Sequence, residues 1–402
     1  MSYKIKKLFI VVTSPFTERD FYRYGINTFI KNGFQIKVLD LHSLLYNDII
    51  PREISFYAQK DIIVHLKTWN ELFKIFRTGL NESIVYTTTA LTYRTYPFYR
   101  ILKKLNIPYI VNSVSVIPTF ESDIKYSILY RLFPITLEKI CNFLLRKLPL
   151  VISRLRPAYA VIAHGIKSNM NRKEVVKSTK IIYSHTFDYD LATHIQNDKS
   201  KHDGTAVFLD SYLPYHSDFN FYKSRLHTSI PRPLIAKEYY NTLNLFFDHI
   251  EKQTGLRVVI AAHPRSNYSA IPDCYVGREI VENNTAELVA KSSLVILENS
   301  TAINFAVIFH KQMLFVTSPQ LIDQPYGKYT NLLAGLFGSK ALNIASNSDL
   351  KSFLKKDIDY SLYENYTNNY IKTICSPLKE SWQIVCDFIY DEFNSIVSNR
   401  TF

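Results

Sequence analysis

Val258-Val259-Ile260-Ala261-Ala262-His263-Pro264-Arg265 decides how the second half of this chain reads. The unbroken apolar run is too short for a helix and fits a strand buried on both faces. Pro264 then breaks the ladder and fixes the turn. The neighbouring segments repeat the pattern. Ala206–Leu209 reads as a strand and Leu234–Gln253 as a helix stopped by Gly255. Glu279–Val281 is a short strand, and Thr285–Lys291 a helix with Asn284 as N-cap and Glu287 as its capping-box partner. Leu294–Leu297 is a strand, Thr301–Phe309 a helix and Met313–Thr317 a strand. Strands alternating with helices predict a parallel sheet joined by crossovers.

The first two hundred residues carry the same alternation. Strands are expected at Leu8–Val12, Gln35–Leu39, Ile62–Leu66, Ser83–Thr87, Tyr109–Asn112, Tyr159–Ala163 and Ile181–His185. Helical spacing covers 17–31, Trp69–Arg77, Phe98–Leu105 and 126–148, the first ending at Asn32-Gly33. Residues 197–204 have no apolar side chain and read as a linker. The domain plan is therefore 1–196, a linker at 197–204, 205–348, and a Tyr-rich helical C-terminus over 349–402. The fold class is α/β, with two Rossmann-like domains facing a cleft.

At 402 residues, two domains are expected, because single cores stop growing near about 250–300 residues. A hydrophobic share of 47% excludes wholesale disorder. The basic N-terminus leads into an apolar run that reads as a first buried strand, too short for a signal-peptide core. No run reaches the length of about 18 apolar residues needed to span a bilayer. The four cysteines form no CxxC pair, which suits reduced packing residues in a cytoplasmic protein. The net charge of +13 implies an anionic partner. Nucleic acid is disfavoured, because the basic residues are dispersed and no helix-turn-helix, zinc-finger or RNP-like pattern is present. The basic helix at 126–148 is a candidate for the cytoplasmic face of the inner membrane; a solvated basic face explains it equally.

Chemistry concentrates at the expected strand ends, where ligands bind doubly wound sheets. His263 is placed to donate to a phosphate, and Arg265 to pair with a phosphate or carboxylate. A strand-ending His that bonds a carbonyl is the plainer reading. Ser300 and Thr301, with Asn299 before them, would form a phosphate cradle at a helix N-terminus, or simply cap it. Glu282 follows a strand and would touch a ribose or base, or belong to a cap. No HExxH, Asp-x-Asp or paired His/Cys spacing is read as a metal motif, so no metal and no other cofactor is expected.

His263-Pro264 and Ser300-Thr301 resemble the HP and S(S/T) motifs of bacterial sialyltransferases and related transferases of CMP-activated nonulosonic acids. The two-domain layout resembles the GT-B glycosyltransferase architecture, with donor in the second half and acceptor in the first. The acidic triplet that serves sialyltransferases as general base is missing. Leu209-Asp210 with Pro214, downstream of His185-Thr186-Phe187-Asp188-Tyr189-Asp190, looks more like the retaining β-Kdo transferases of surface polysaccharide biosynthesis. That resemblance implies a CMP-Kdo or related CMP-nonulosonate donor and a glycan or lipid-linked glycan acceptor. It also implies Asp210 as a carboxylate nucleophile; a turn aspartate is the alternative. Glu138 and Glu121 are the candidates for a general acid or base in the first half. Ser14, His185, Asp188 and Asp190 are the candidates for acceptor contacts. An inverting sialyltransferase-like enzyme, or a GT-B enzyme with a UDP-sugar donor, is the competing assignment.

Overall fold

The computed structural model describes residues 5–398, except 15, 17, 46–59, 81, 114–117, 119–136, 169, 196–202, 217–233, 265, 272 and 347. The described chain divides into two compact units.

The first unit is built on a seven-stranded sheet: β1 (Lys7–Val12), β2 (Gln35–Asp40), β3 (Ile63–His65), β4 (Ser83–Thr87), β5 (Tyr109–Asn112), β6 (Ala160–Ala163) and β7 (Lys180–Tyr183). The order is β3-β2-β1-β4-β5-β6-β7, and every pairing is parallel. The chain winds outward from β1 on one side, then returns to start again at β4, so the strand order reverses between β1 and β4. β1 is buried from Leu8 to Val12 because helices cover both faces. One face packs Leu72, Phe76, Phe98 and Tyr99. The other packs Ile26 and Phe29 against Trp382, Ile384 and Val385.

The helix Trp69–Thr78 starts where its capping box predicts: Thr68 accepts the Glu71 N–H and Glu71 accepts the Thr68 N–H. Such a cap stabilises a helix by about 1 kcal/mol. The single helix expected over 17–31 is instead two, Glu18–Arg23 and Ile26–Lys31. Gly25 breaks it with φ 61°, and a Cβ there would lie 2.2 Å from Trp382 Cγ. The break is thus dictated by a side chain more than 350 positions away, which periodicity cannot register.

The second unit carries a six-stranded sheet: β8 (Thr205–Leu209), β9 (Arg257–Ala261), β10 (Ile280–Val281), β11 (Leu294–Leu297), β12 (Gln312–Thr317) and β13 (Leu342–Asn343). Its order is β10-β9-β8-β11-β12-β13, again all parallel. Here the strand order reverses between β8 and β11. The helix Ala236–Thr254 closes at Gly255, whose φ of 72° lets its N–H reach Glu251 O. The helix Pro325–Gly335 and the short β13 belong to this unit and were not expected.

The units do not follow the expected boundaries. Met1–Ser115, Ile128–His185 and the chain from Thr373 onward belong to the first, and Val116–Ser127 with Thr186–Lys372 to the second. The C-terminal segment is shared. Tyr363, Tyr366 and Ile371 pack into the second unit, while the helix Ser381–Ser398 supplies core to the first. The expected linker lies largely outside the described residues. Among those residues, no helix is long and apolar enough to cross a membrane.

Candidate active site

β8 and β11 are neighbours in register, with Leu209 opposite Leu297. The next residue on each strand is a carboxylic acid, so Asp210 and Glu298 flank the point where the strand order reverses. That crevice at the carboxyl ends of the strands is the usual ligand position in open α/β sheets. Asp210 is 4% exposed and Glu298 2%.

Asp210 is held on every side. Its Oδ1 accepts the Tyr212 N–H at 2.8 Å and the Tyr275 hydroxyl at 2.9 Å, and its Oδ2 accepts the Tyr268 hydroxyl. Burial pushes its carboxyl up to about 6, against the pull of the Tyr212 amide, the Tyr275 hydroxyl and the His263 amide. Tyr212, whose N–H makes the bond to Oδ1, is in the left-handed region at φ 50°, unusual for a non-glycine residue. Asp210 therefore performs the turn role that was the alternative to nucleophile, and both its oxygens are engaged.

Glu298 has no assigned role in the sequence reading. Its Oε1 accepts the Tyr239 hydroxyl at 3.1 Å. Burial pushes its carboxyl up to about 8; the Tyr239 bond opposes this, and the Asp210 charge adds to it. Tyr326 lies against both Ser211 and Glu298. Nevertheless Glu298 Oε2, Ser211 Oγ and Tyr326 OH are all buried without a hydrogen bond of ordinary geometry. Thr317 Oγ1 and Ser318 Oγ, at the end of β12, share that condition. Glu298, Ser211 and Tyr326 face one another, whereas Thr317 and Ser318 have no such neighbour among the described residues. Buried polar groups are normally satisfied, so this cluster has room for a polar ligand or ordered water to complete it. Tyr326 owes its position to Gly327. A Cβ there would lie 2.3 Å from the Leu321 carbonyl oxygen, so only glycine allows the helix Pro325–Gly335 to approach so closely.

Above this floor sit the half-buried residues of the same edge. His263, after β9, packs its ring against His216 at 4.8 Å between centroids. Asn299 and Ser300 are half-buried and Thr301 is exposed. β8 lies between β9 and β11, so the two segments stand about 10 Å apart, two strand spacings. The helix after Ser300 differs from expectation. It spans only Ile303–Ile308, and the Ser300 hydroxyl accepts the Ala302 N–H at 3.3 Å instead of standing open. Ser300 and Thr301 thus form a turn, and a six-residue helix has little dipole to offer a phosphate.

The remaining candidates scatter. Arg265 and Glu121 lie outside the described residues. Glu282 is exposed beyond β10. Asn284 and Glu287 meet through their side chains, without the expected capping box. In the first unit, Ser14 is exposed just beyond β1. Glu138 pairs with Arg94 at 3.1 Å, on a helix that spans Leu137–Lys147 among the described residues. His185 is 2% exposed, with Nδ1 3.5 Å from Ser376 Oγ, which leaves it no surface for an acceptor. Asp188 and Asp190 lie in the first turn of the helix Phe187–Thr193, and Asp188 accepts the Asn304 amide at 2.8 Å. Their Asp-x-Asp spacing is one a metal site would use. Among the described residues, no group of three or more His, Cys, Asp or Glu side chains converges.

No family model and no curated protein matches the sequence. Solved structures do match in fold. The wall teichoic acid polymerase TagF, as a His-to-Ala variant, aligns over 98% of this chain and 91% of its own, with a TM-score of 0.52 and 13% identity. A UDP-N-acetylglucosamine 2-epimerase from Listeria monocytogenes, itself described as putative, aligns over 98% and 97%, with a TM-score of 0.51 and 13% identity. With two parallel sheets of seven and six strands, the chain has the GT-B type of two-domain α/β fold.

Proposed function

We propose that this protein is a glycosyltransferase that binds a nucleotide-activated sugar at the β8, β9 and β11 ends of its second unit. One observation carries the reading: two buried acids and a set of orphaned polar groups meet at the strand-order reversal, beneath half-buried His263 and Ser300. His263 would contact the phosphate, with Arg265 and Thr301 supporting it. Burial favours the protonated form of Glu298, whose second oxygen faces the Tyr326 hydroxyl. At 2% exposure it would act from beneath the donor, holding Tyr239 and Tyr326 in position rather than touching substrate. The bonds to Tyr268, Tyr275 and the Tyr212 amide favour a positioning role for Asp210 over the nucleophile's. A retaining course through Asp210 would require those bonds to open.

The donor we propose is CMP-Kdo or a related CMP-activated acidic sugar, on the strength of the His263-Pro264 and Ser300-Thr301 motifs. The acceptor would be a glycan or lipid-linked glycan of a surface polysaccharide, and no metal is required. A UDP-sugar donor is the second reading, favoured by the UDP-sugar epimerase among the fold neighbours. A thermal-shift comparison separates them, since a ligand that binds only the folded state must raise its melting temperature. CMP at 100 times its Kd should stabilise by about 2.7 kcal/mol, with UDP and GDP giving less. A larger shift with UDP replaces the donor, and transfer abolished by EDTA replaces the metal-free mechanism.

A further inference from the structure

The helix Leu137–Lys147 is placed unlike the others of its length. None of its described side chains is buried. Leu137, Ile140, Phe143 and Leu144 are 72%, 45%, 60% and 49% exposed. Their spacing puts them on one face of the helix. The chain then turns and exposes Val151 at 82% and Ile152 at 63%. Single exposed apolar residues are ordinary, but with Leu148 at 38% there are seven within sixteen positions, and they form a patch.

The charge around this patch has one sign. Residues 137–156 contain five Lys or Arg and one acid, Glu138. Glu138 is already spent on Arg94. Lys147 lies over the Phe143 ring at 6.0 Å, on the apolar face itself. The neighbouring helix Tyr96–Lys104 extends the basic surface. Arg100 donates to the Arg154 carbonyl at 2.8 Å and Lys103 to the Leu155 carbonyl at 3.3 Å, tying both to the loop that carries Val151 and Ile152. Lys103 and Lys104 remain exposed.

We propose that this face of the first unit docks on an anionic lipid bilayer, with Phe143, Val151 and Ile152 entering the headgroup–acyl boundary and Lys147, Arg146 and Arg154 against the headgroups. Apolar side chains framed by cations are what an anionic membrane surface selects, and the two contributions act together. A protein partner would have to be both apolar and acidic at this spot, whereas anionic lipid is so by composition. Vesicle binding needs neither donor nor acceptor, so its failure would leave the nucleotide reading intact.

The test is flotation of the full chain with vesicles of phosphatidylcholine, with and without one quarter phosphatidylglycerol, at 0.15 M salt. Binding should require the anionic lipid. It should fall at least tenfold in Phe143→Asp/Val151→Asp and in Arg146→Glu/Lys147→Glu, at unchanged melting temperature. Leu378→Asp alters an apolar residue that is 90% exposed elsewhere, and it should bind as wild type does. Binding as strong as wild type's by either double variant, or no binding of wild type to anionic vesicles, overturns the proposal. So does a wild-type dimer that Phe143→Asp/Val151→Asp dissolves without any vesicle binding, since the face would then belong to a second copy.

Discussion

Asp40 and Asp210 both stand at the carboxyl end of a parallel strand, but Asp40 ends β2, one strand away from the order reversal of its sheet, whereas Asp210 follows β8, at the reversal itself. Each uses Oδ1 to accept the backbone N–H two residues on, His42 in one and Tyr212 in the other, both at 2.8 Å. Each is 4% exposed. The difference lies in the remaining lone pairs. Asp40 Oδ2 meets the His65 ring, whose side chain is 68% exposed. Asp210 meets two buried phenols and has a second buried acid, Glu298, as its neighbour on the next strand. A strand-end aspartate is therefore a turn device first. What surrounds its remaining lone pairs decides whether the place becomes a site.

The largest effect at any one pH step should come from Asp210→Ala. It leaves the Tyr268 and Tyr275 hydroxyls and the Tyr212 N–H buried without an acceptor, at a cost of about 3 kcal/mol. The melting temperature should drop roughly 6–12 °C. A drop of only a degree or two would mean that Asp210 does not organise the tyrosines.

Next comes the proton on Glu298. Its folded carboxyl titrates near 8, above the unfolded value near 4.5. Between those values the native state holds a proton that the unfolded chain has released, so raising the pH destabilises the fold. From about pH 5 to pH 8 the wild type should lose stability relative to Glu298→Gln, by at most about 1.4 kcal/mol per pH unit. Parallel pH profiles would return Glu298 to an ordinary ionised carboxylate.

Asp40→Ala should have the smallest effect, about 1 kcal/mol or roughly 2–4 °C. The exposed His65 finds water, and only the His42 N–H loses a buried partner. A loss as large as that of Asp210→Ala would erase the contrast between the two strand ends.

The strands were legible because parallel sheets covered on both faces demand continuous apolar runs, as in Leu8–Val12 and Leu294–Leu297. His263 and Ser300 were legible as strand-end residues, and the structure puts them on one sheet edge. Glu298 was not, because its meaning depends on β11 lying beside β8, and strand order is not local information. Ser300 misled because its hydroxyl folds back onto Ala302 N–H. His185 misled because its partner, Ser376, is 191 positions distant. The boundary between units shifted for the same reason: the helix Phe187–Thr193 bonds to Asn304 through Asp188.

The claim that the β8–β9–β11 edge holds a CMP-type donor is tested most directly by calorimetric titration of CMP into wild type and into His263→Ala. Wild type should bind CMP, and His263→Ala should bind at least tenfold more weakly, about 1.4 kcal/mol, while keeping its fold. CMP binding of equal strength in both proteins, or none in wild type, would contradict it.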